Sequence, residues 1–166
     1  MKAITYYTYG SPDVLNFEEV QKPTPGDDEV LVKVHASAAN AGDWHILRGD
    51  PYLVRLMFGL FKPKFNILGI DLAGRVEAVG KNVTKFKPGD EVFGDLTNHG
   101  MGAFAEYVTA PEEAFALKPA QATFEESAAV PTSAITALQG LRDYGGALSL
   151  HRKRLTAKTW QNHFSR

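Results

Sequence analysis

The chain has 166 residues, of which 44% are hydrophobic and 22% are charged, and its formal net charge is −1. A chain of this length buries about 70% of its unfolded surface, which suffices for one domain with its own core. The absence of cysteine excludes disulfides, thiolate nucleophiles and cysteine-ligated zinc. Because no long apolar stretch opens the chain, we expect no signal peptide or membrane span, and a cytoplasmic location.

The first two-thirds of the chain has the patterns of short β-strands. Residues 29–40 alternate apolar and polar side chains, as do residues 72–80, which is typical of half-buried strands. A first strand is predicted at residues 3–9, and residues 91–96 and 102–108 are predicted to form two strands joined through the loop TNHGMG. Short strands separated by glycine and proline predict a small barrel or sandwich.

The pattern changes to that of helices near residue 119. Thr123 followed by Glu126 has the spacing of a capping box at a helix start. Pro131 should interrupt this helix, and the segment TSAITALQGLRDYG should restart it and close at Gly145-Gly146. The predicted order is therefore a β body followed by helices.

Six motifs occur in a fixed order: KAITYYTYGSPDVL, NAGDWHILRGD, GIDLAGRVEAVG, FKPGDEVFG, GAFAEYV and AAVPTSAITALQGL. Each is weak alone, but together they resemble the catalytic, GroES-like half of the medium-chain dehydrogenase/reductase superfamily, from Met1 to about Gly145. The zinc-free branch is the most similar: NADPH-dependent quinone oxidoreductases and bacterial NAD(P)-dependent alcohol dehydrogenases. The resemblance implies that residues 1–146 form a mainly β domain, a GroES-like, partly open β-barrel with C-terminal helices.

The resemblance also bears on metal binding. Zinc-dependent members carry a Gly-His-Glu motif where this chain has Gly69-Ile70-Asp71, and a cysteine ligand where it has Asn40. Isoleucine has no donor atom, and an amide is a poor zinc ligand beside thiolate or imidazole. The structural-zinc lobe with its four cysteines is also missing. We therefore expect Ile70 to pack in the core, and we expect no zinc.

Three residues are candidates for the site. By similarity, Asn40 should lie near the nicotinamide and the substrate carbonyl, and Thr136 matches a threonine that touches the bound NADP(H). His45 aligns with a tyrosine or a proton-relay histidine, and a histidine can hand over a proton near neutral pH. The alternatives are an amide that caps a turn for Asn40, a hydroxyl bonded to its own helix for Thr136, and a merely exposed side chain for His45. Asp43 is predicted to be a structural acceptor that fixes the turn.

Residues 51–65, PYLVRLMFGLFKPKF, form the most hydrophobic segment for which exposure is an option. One interpretation is an amphipathic helix for a partner or a membrane surface, although the segment is too short to span a bilayer. We favour a buried or cleft-lining segment, since this region contributes to the wall of the substrate cleft in the family. No membrane partner is predicted.

Residues 147–166 form a basic tail with five basic and no acidic side chains. The tail resembles nothing in the family, and the plainest interpretation is a truncated or frame-shifted reading frame. A nucleic-acid-binding arm is the alternative, since Arg and Lys accompany Trp160 and Phe164, but one short basic run is thin support and no nucleic-acid partner is predicted. The G-x-x-G-x-x-G turn of the family's nucleotide-binding (Rossmann) domain is absent from residues 1–166.

Two functions therefore compete. In the first, the chain is a truncated NAD(P)H-dependent oxidoreductase whose full-length relatives reduce a small quinone, an activated carbonyl or an enone by hydride transfer. In the second, it is a non-catalytic GroES-like domain that binds no cofactor by itself. A homodimer is the assembly that the resemblance allows. The sequence names neither the substrate nor the choice between NADPH and NADH.

Overall fold

The computed structural model describes residues 1–144, and within them seven strands and four α-helices alternate with short turns. The strands are β1 Lys2–Thr5, β2 Asn16–Glu19, β3 Glu29–Ala38, β4 Asp71–Val79, β5 Glu91–Asp95, β6 Tyr107–Pro111 and β7 Phe115–Leu117. The helices are α1 Ala41–Arg48, α2 Leu53–Phe58, α3 Phe124–Ala128 and α4 Pro131–Gln139. Single 3₁₀ turns lie at Pro12–Val14 and Glu112–Ala114, and a π-helical turn follows α4 at Gly140–Tyr144.

The main sheet has five antiparallel strands in the order β6-β3-β4-β5-β7, and β1 pairs with β2 in a separate ribbon. Among the described strands, β6 and β7 are the edges of this sheet, which does not close into a barrel. This confirms the predicted mainly β fold with C-terminal helices. The central strands β3 and β4 carry the alternating segments of the sequence, and their buried side chains form the main core: Val30, Val32, Leu72 and Val76.

The predicted hairpin between residues 91–96 and 102–108 is wrong. β5 pairs with β4 and β7, whereas β6 pairs with β3 on the opposite side of the sheet. Residues 102–106 precede β6 and form backbone hydrogen bonds elsewhere: Phe104 N donates to Leu68 O, and Ile4 N donates to Phe104 O. The intervening chain therefore runs alongside β1, with an antiparallel bridge between Ala3 and Ala105, instead of turning back on β5.

The helices begin where the local sequence predicts. Thr123 Oγ accepts from Glu126 N, and the Glu126 carboxylate accepts from Thr123 N, so the capping box of α3 is confirmed. Pro131 occupies the first turn of α4, where its missing N–H is not needed, so the predicted interruption is confirmed too. The predicted closure at Gly145-Gly146 and the basic tail lie outside the described residues.

Residues 51–65 are predicted to be buried or cleft-lining; burial is contradicted, and the cleft-lining alternative stays a prediction. Six of their large apolar side chains are exposed, from 40% for Leu60 to 89% for Phe61. Only the inward side of α2 packs on the protein, where Val54 and Phe58 contact the apolar cluster around Ile46. Within residues 1–144, no helix combines the length and the hydropathy that a membrane-spanning segment requires.

Candidate functional site

A buried carboxylate joins three elements at one end of the sheet. Asp71 begins β4, and its side chain is fully buried. It accepts hydrogen bonds from Asn40 Nδ2 at 3.0 Å, from Thr132 Oγ1 at 2.7 Å and from Thr132 N at 3.1 Å. We call these three residues the Asp71 network. It ties the sheet to the start of α1 and to the start of α4.

The turn that presents Asn40 is fixed by a second buried carboxylate. Asp43 is 4% exposed and accepts from Asn40 N at 2.8 Å and from Gly69 N at 3.0 Å. The predicted structural role of Asp43 is therefore confirmed. Gly69 has φ +102°, and a Cβ there would lie 2.6 Å from Phe104 N, so only glycine fits. The turn is thus held from both α1 and the segment before β4.

Burial decides the protonation behaviour of both carboxyl groups. Burial raises the pKa of Asp71, while the donors on Thr132 and Asn40 oppose this shift. Burial likewise raises the pKa of Asp43, against the backbone donors of Asn40 and Gly69. Both groups therefore hold a proton to a higher pH in the folded chain than in the unfolded chain.

This shift has a consequence for stability that Asp71→Asn should reveal. Because the folded-state pKa of Asp71 is raised above its ordinary value of 3.8, its contribution to the free energy of unfolding is fully present at acid pH and is lost as pH rises through the folded-state pKa. Asparagine cannot ionise, so the difference in the free energy of unfolding between wild type and Asp71→Asn should shrink over a pH range that starts at the ordinary value of 3.8 and ends above the raised folded-state pKa. Urea unfolding across this range measures it. A difference that grows with pH would contradict the shift.

Thr136 lies one helical turn beyond Thr132 on the same face of α4, and its side chain is exposed. A spacing of four residues corresponds to about 6 Å along the helix axis. Thr136 is thus one helical turn from Thr132, a member of the Asp71 network, and its place beside the cofactor stays a prediction. Thr132 and its bond to Asp71 are missed by the sequence reasoning, because 61 residues separate the two.

His45 is not brought into this group. It is exposed on α1, about 140° around the helix from Asn40. Its Nδ1 lies 2.7 Å from Asp50 O, and its ring meets Trp44 edge-on. Because a carbonyl oxygen can only accept a hydrogen bond, Nδ1 carries the proton of the neutral ring, and Nε2 is the unprotonated nitrogen.

Ile70 packs in an apolar cluster with Tyr6, Ile46, Leu47, Leu68 and Met101 and is 5% exposed, as predicted. Its side chain faces the core at the place where zinc-dependent members have a histidine ligand. Within residues 1–144, no three His, Asp or Glu side chains are grouped to hold a metal ion. The donor set of Asn40, Ile70 and Asp71 does not fit zinc, and the absence of zinc stays a prediction.

A cavity of about 420 Å³ lies on another face of α4, against β5 and β7. Its apolar wall includes Phe93, Phe115 and Ile135, and Asp95 and His99 are polar groups of its lining. The volume is in the range of small-molecule sites. This cavity has no signature in the amino-acid sequence, since its lining residues come from segments that are far apart in the chain.

Comparison with known proteins agrees with this architecture. The family model described as alcohol dehydrogenase GroES-like domain matches residues 26–120, more than half of the chain. The quinone-oxidoreductase homolog of the chloroplast of Spinacia oleracea is 38% identical over 146 residues, which cover 87% of this chain and 43% of that protein. The quinone oxidoreductase of Sus scrofa is 36% identical over 142 residues, covering 85% and 40%.

Solved structures give the same answer. The quinone oxidoreductase of Coxiella burnetii superposes with a TM-score of 0.76 at 32% identity, over 86% of this chain and 44% of that one. The quinone oxidoreductase of Escherichia coli, solved in complex with NADPH, gives 0.72 at 27% identity, over 86% and 40%. The chain thus spans about two-fifths of the length of the proteins it matches. It belongs to the alcohol dehydrogenase GroES-like family of the medium-chain dehydrogenase/reductase superfamily, whose quinone oxidoreductases it resembles.

Proposed function

We propose that residues 1–144 are the catalytic domain of an NAD(P)H-dependent, zinc-independent oxidoreductase that reduces a quinone, an activated carbonyl or an enone. The observation that supports this proposal is the Asp71 network, which fixes Asn40 at the start of α1 and binds Thr132 at the start of α4, one turn before Thr136 in the same helix. When bound, the nicotinamide supplies the hydride. The nucleotide-binding domain of such an enzyme belongs to a longer polypeptide or to a second one.

Asn40 is the group that polarises the substrate oxygen. An amide nitrogen carries two hydrogens, and one of them is taken by Asp71 Oδ2 at 3.0 Å. The second is available to a carbonyl oxygen on which negative charge develops. Asp71 acts through Asn40 as a positioning residue, since it holds the amide in one orientation before substrate arrives.

The described residues fit only part of the cofactor. An amide at Asn40 and an exposed hydroxyl at Thr136 suit a nicotinamide ring and its carboxamide. In this family a pyrophosphate binds to backbone donors at a glycine-rich turn that opens a helix, and residues 1–144 contain no such turn. At the starts of α1 and α4, the backbone N–H groups of Asn40 and Thr132 already donate to Asp43 and Asp71. The grip on the phosphates therefore comes from outside these residues.

A fusion protein tests the proposal. The nucleotide-binding domain and C-terminal return segment of a similar quinone oxidoreductase, joined after Tyr144, should give NADPH-dependent quinone reduction. In the fusion, Asn40→Ala should lower kcat/KM about a hundredfold, because one transition-state donor is lost. Asn82→Ala is the matched control: its amide also donates to a carboxylate, Asp28, but on the surface, and it should leave turnover unchanged.

The same fusion decides the role of His45, the candidate proton donor. If His45 hands a proton to the reduced substrate, His45→Ala slows turnover. Turnover equal to that of the parent fusion would exclude His45 from the reaction and leave Asn40 and Thr136 in place. An inactive fusion that binds NADPH and is correctly folded would contradict the proposed function as a whole.

The alternative is a GroES-like domain with no catalysis of its own. The observation that favours it is coverage, because the matched relatives are more than twice as long as the aligned part of this chain. Under this alternative, the fusion remains inactive whatever substrate is offered.

A further inference from the structure

The exposed apolar side chains of α2 and the segment after it form one surface, which we call the α2 patch: Tyr52, Leu53, Leu56, Met57, Leu60 and Phe61. Their exposed fractions include 73% for Met57 and 89% for Phe61. The other side of the same helix is docked, since Val54 and Phe58 pack on the apolar cluster of Ile46 and Leu47. The helix thus buries one apolar face and presents a second. Exposed apolar surfaces of this kind mark interaction sites.

Hydrogen bonds hold the α2 patch in place. Tyr9 Oη donates to Gly59 O at 2.6 Å, and Lys64 N donates to Phe58 O at 2.7 Å. Arg55 Nε donates to Gly49 O at 3.1 Å, which ties α2 to the end of α1. The chain between Gly59 and Lys64 therefore folds back beside α2, and the apolar side chains belong to a fixed surface.

The charged side chains of the segment that carries the α2 patch are mainly basic. Residues 48–65 contain four basic side chains, Arg48, Arg55, Lys62 and Lys64, and one acidic side chain, Asp50. None of the four basic groups takes part in an ion pair within the described chain. Arg48, Lys62 and Lys64 are exposed. The patch is thus apolar with a positive surround.

We propose that the α2 patch binds the surface of an anionic lipid bilayer, with its apolar side chains at the boundary of headgroups and acyl chains and its basic side chains on the lipid phosphates. A segment of this length cannot span a bilayer, but a surface contact requires no span. Charge complementarity selects this occupant over a second copy of the chain, because two copies would bring the basic side chains of both patches together. Leucine, methionine and phenylalanine beside lysine and arginine are the composition of an interfacial anchor.

The absence of cysteine permits a site-specific probe. Met57→Cys, labelled with a polarity-sensitive dye, should shift its emission to the blue with phosphatidylcholine vesicles that contain phosphatidylglycerol, and much less with phosphatidylcholine alone. Phe17→Cys is the matched control, since Phe17 is 72% exposed but lies on β2, and its dye should not shift. Equal shifts at both positions, or none at Met57, would overturn the proposal.

Sedimentation with the same anionic vesicles separates the patch from the basic tail. Leu56→Gln with Phe61→Gln should lower the vesicle partition coefficient of the full chain at least about tenfold, because two apolar anchors are lost. Phe17→Gln with Leu117→Gln should not, although both side chains are exposed. Binding that survives the patch variant and is lost when Arg152, Lys153 and Arg154 become glutamine would assign it to the tail and overturn the proposal. So would self-association through the patch without vesicle binding.

Discussion

Replacing Gly74 by alanine is expected to lower the free energy of unfolding by at least about 3 kcal/mol. Gly74 lies in β4, the middle strand of the main sheet, opposite Val34 of β3 and Val92 of β5. A Cβ at this position would lie 2.2 Å from Lys33 O and 2.8 Å from Val32 Cγ1. Since Lys33 O is a backbone atom, the clash can be relieved only by moving β3 away from β4.

Gly140→Ala is the matched control for this substitution. Gly140 has φ −57° and ψ −47°, and a Cβ there meets nothing within 4 Å. Alanine should therefore stabilise the chain by about 0.5–1 kcal/mol through the lower entropy of its unfolded state. Urea unfolding followed by circular dichroism compares the two variants. Equal stability of Gly74→Ala and wild type would show that β3 and β4 do not pair as described.

Asp71→Ala should lower the free energy of unfolding by about 2–4 kcal/mol. The substitution removes the acceptor of the Asn40 amide and of both donors of Thr132, and the desolvation of these groups is no longer offset. The substitution also removes the cost of burying an ionisable carboxyl group, which works in the opposite direction. This gain restores none of the lost hydrogen bonds. The cost of leaving the donors of Asn40 and Thr132 without an acceptor therefore outweighs this gain.

Thr132→Val is the control, because it removes one hydroxyl of similar volume and leaves Asp71 with Asn40 Nδ2 and Thr132 N. It should cost about 1 kcal/mol. The side-chain amide signals of Asn40 in a ¹⁵N–¹H spectrum supply a second readout: they should move in Asp71→Ala and stay near their positions in Thr132→Val. If the Asp71→Ala chain were as stable as wild type, the hydrogen bonds of the Asp71 network would not hold the site together.

Local patterns predict the parts of the fold whose partners lie nearby in the chain. The alternation of Val30, Val32 and Val76 predicts strands, and these side chains fill the core. The capping box of Thr123 and Glu126 needs only three residues, and it forms. The position of Ile70 follows from its chemistry, since a side chain without donors gains most from burial.

The remaining features depend on distant parts of the chain. The glycine-containing loop between β5 and β6 is typical of a hairpin. The segment before β6 instead forms backbone hydrogen bonds with Leu68 and Ile4. The bond from Asp71 to Thr132 spans 61 residues and has no local signature. Phe61 is exposed although its side chain is apolar, and hydropathy alone does not show which apolar side chains stay uncovered in the fold.

The central claim is the proposed division of labour, in which this chain supplies side chains at the nicotinamide and substrate and the nucleotide is bound mainly by groups outside this chain. A dinucleotide loses about 4–15 kcal/mol of translational and rotational freedom on binding. Two or three hydrogen bonds from Asn40 and Thr136, at about 1 kcal/mol each, do not offset this loss.

Calorimetric titration of NADPH into the unmodified 166-residue chain tests this claim most directly, with the fusion protein as the positive control. The account predicts no measurable binding at micromolar NADPH for the chain alone, and binding with quinone reduction for the fusion. Micromolar or tighter binding of NADPH by the chain alone would contradict the account, because it would require a nucleotide site within these 166 residues.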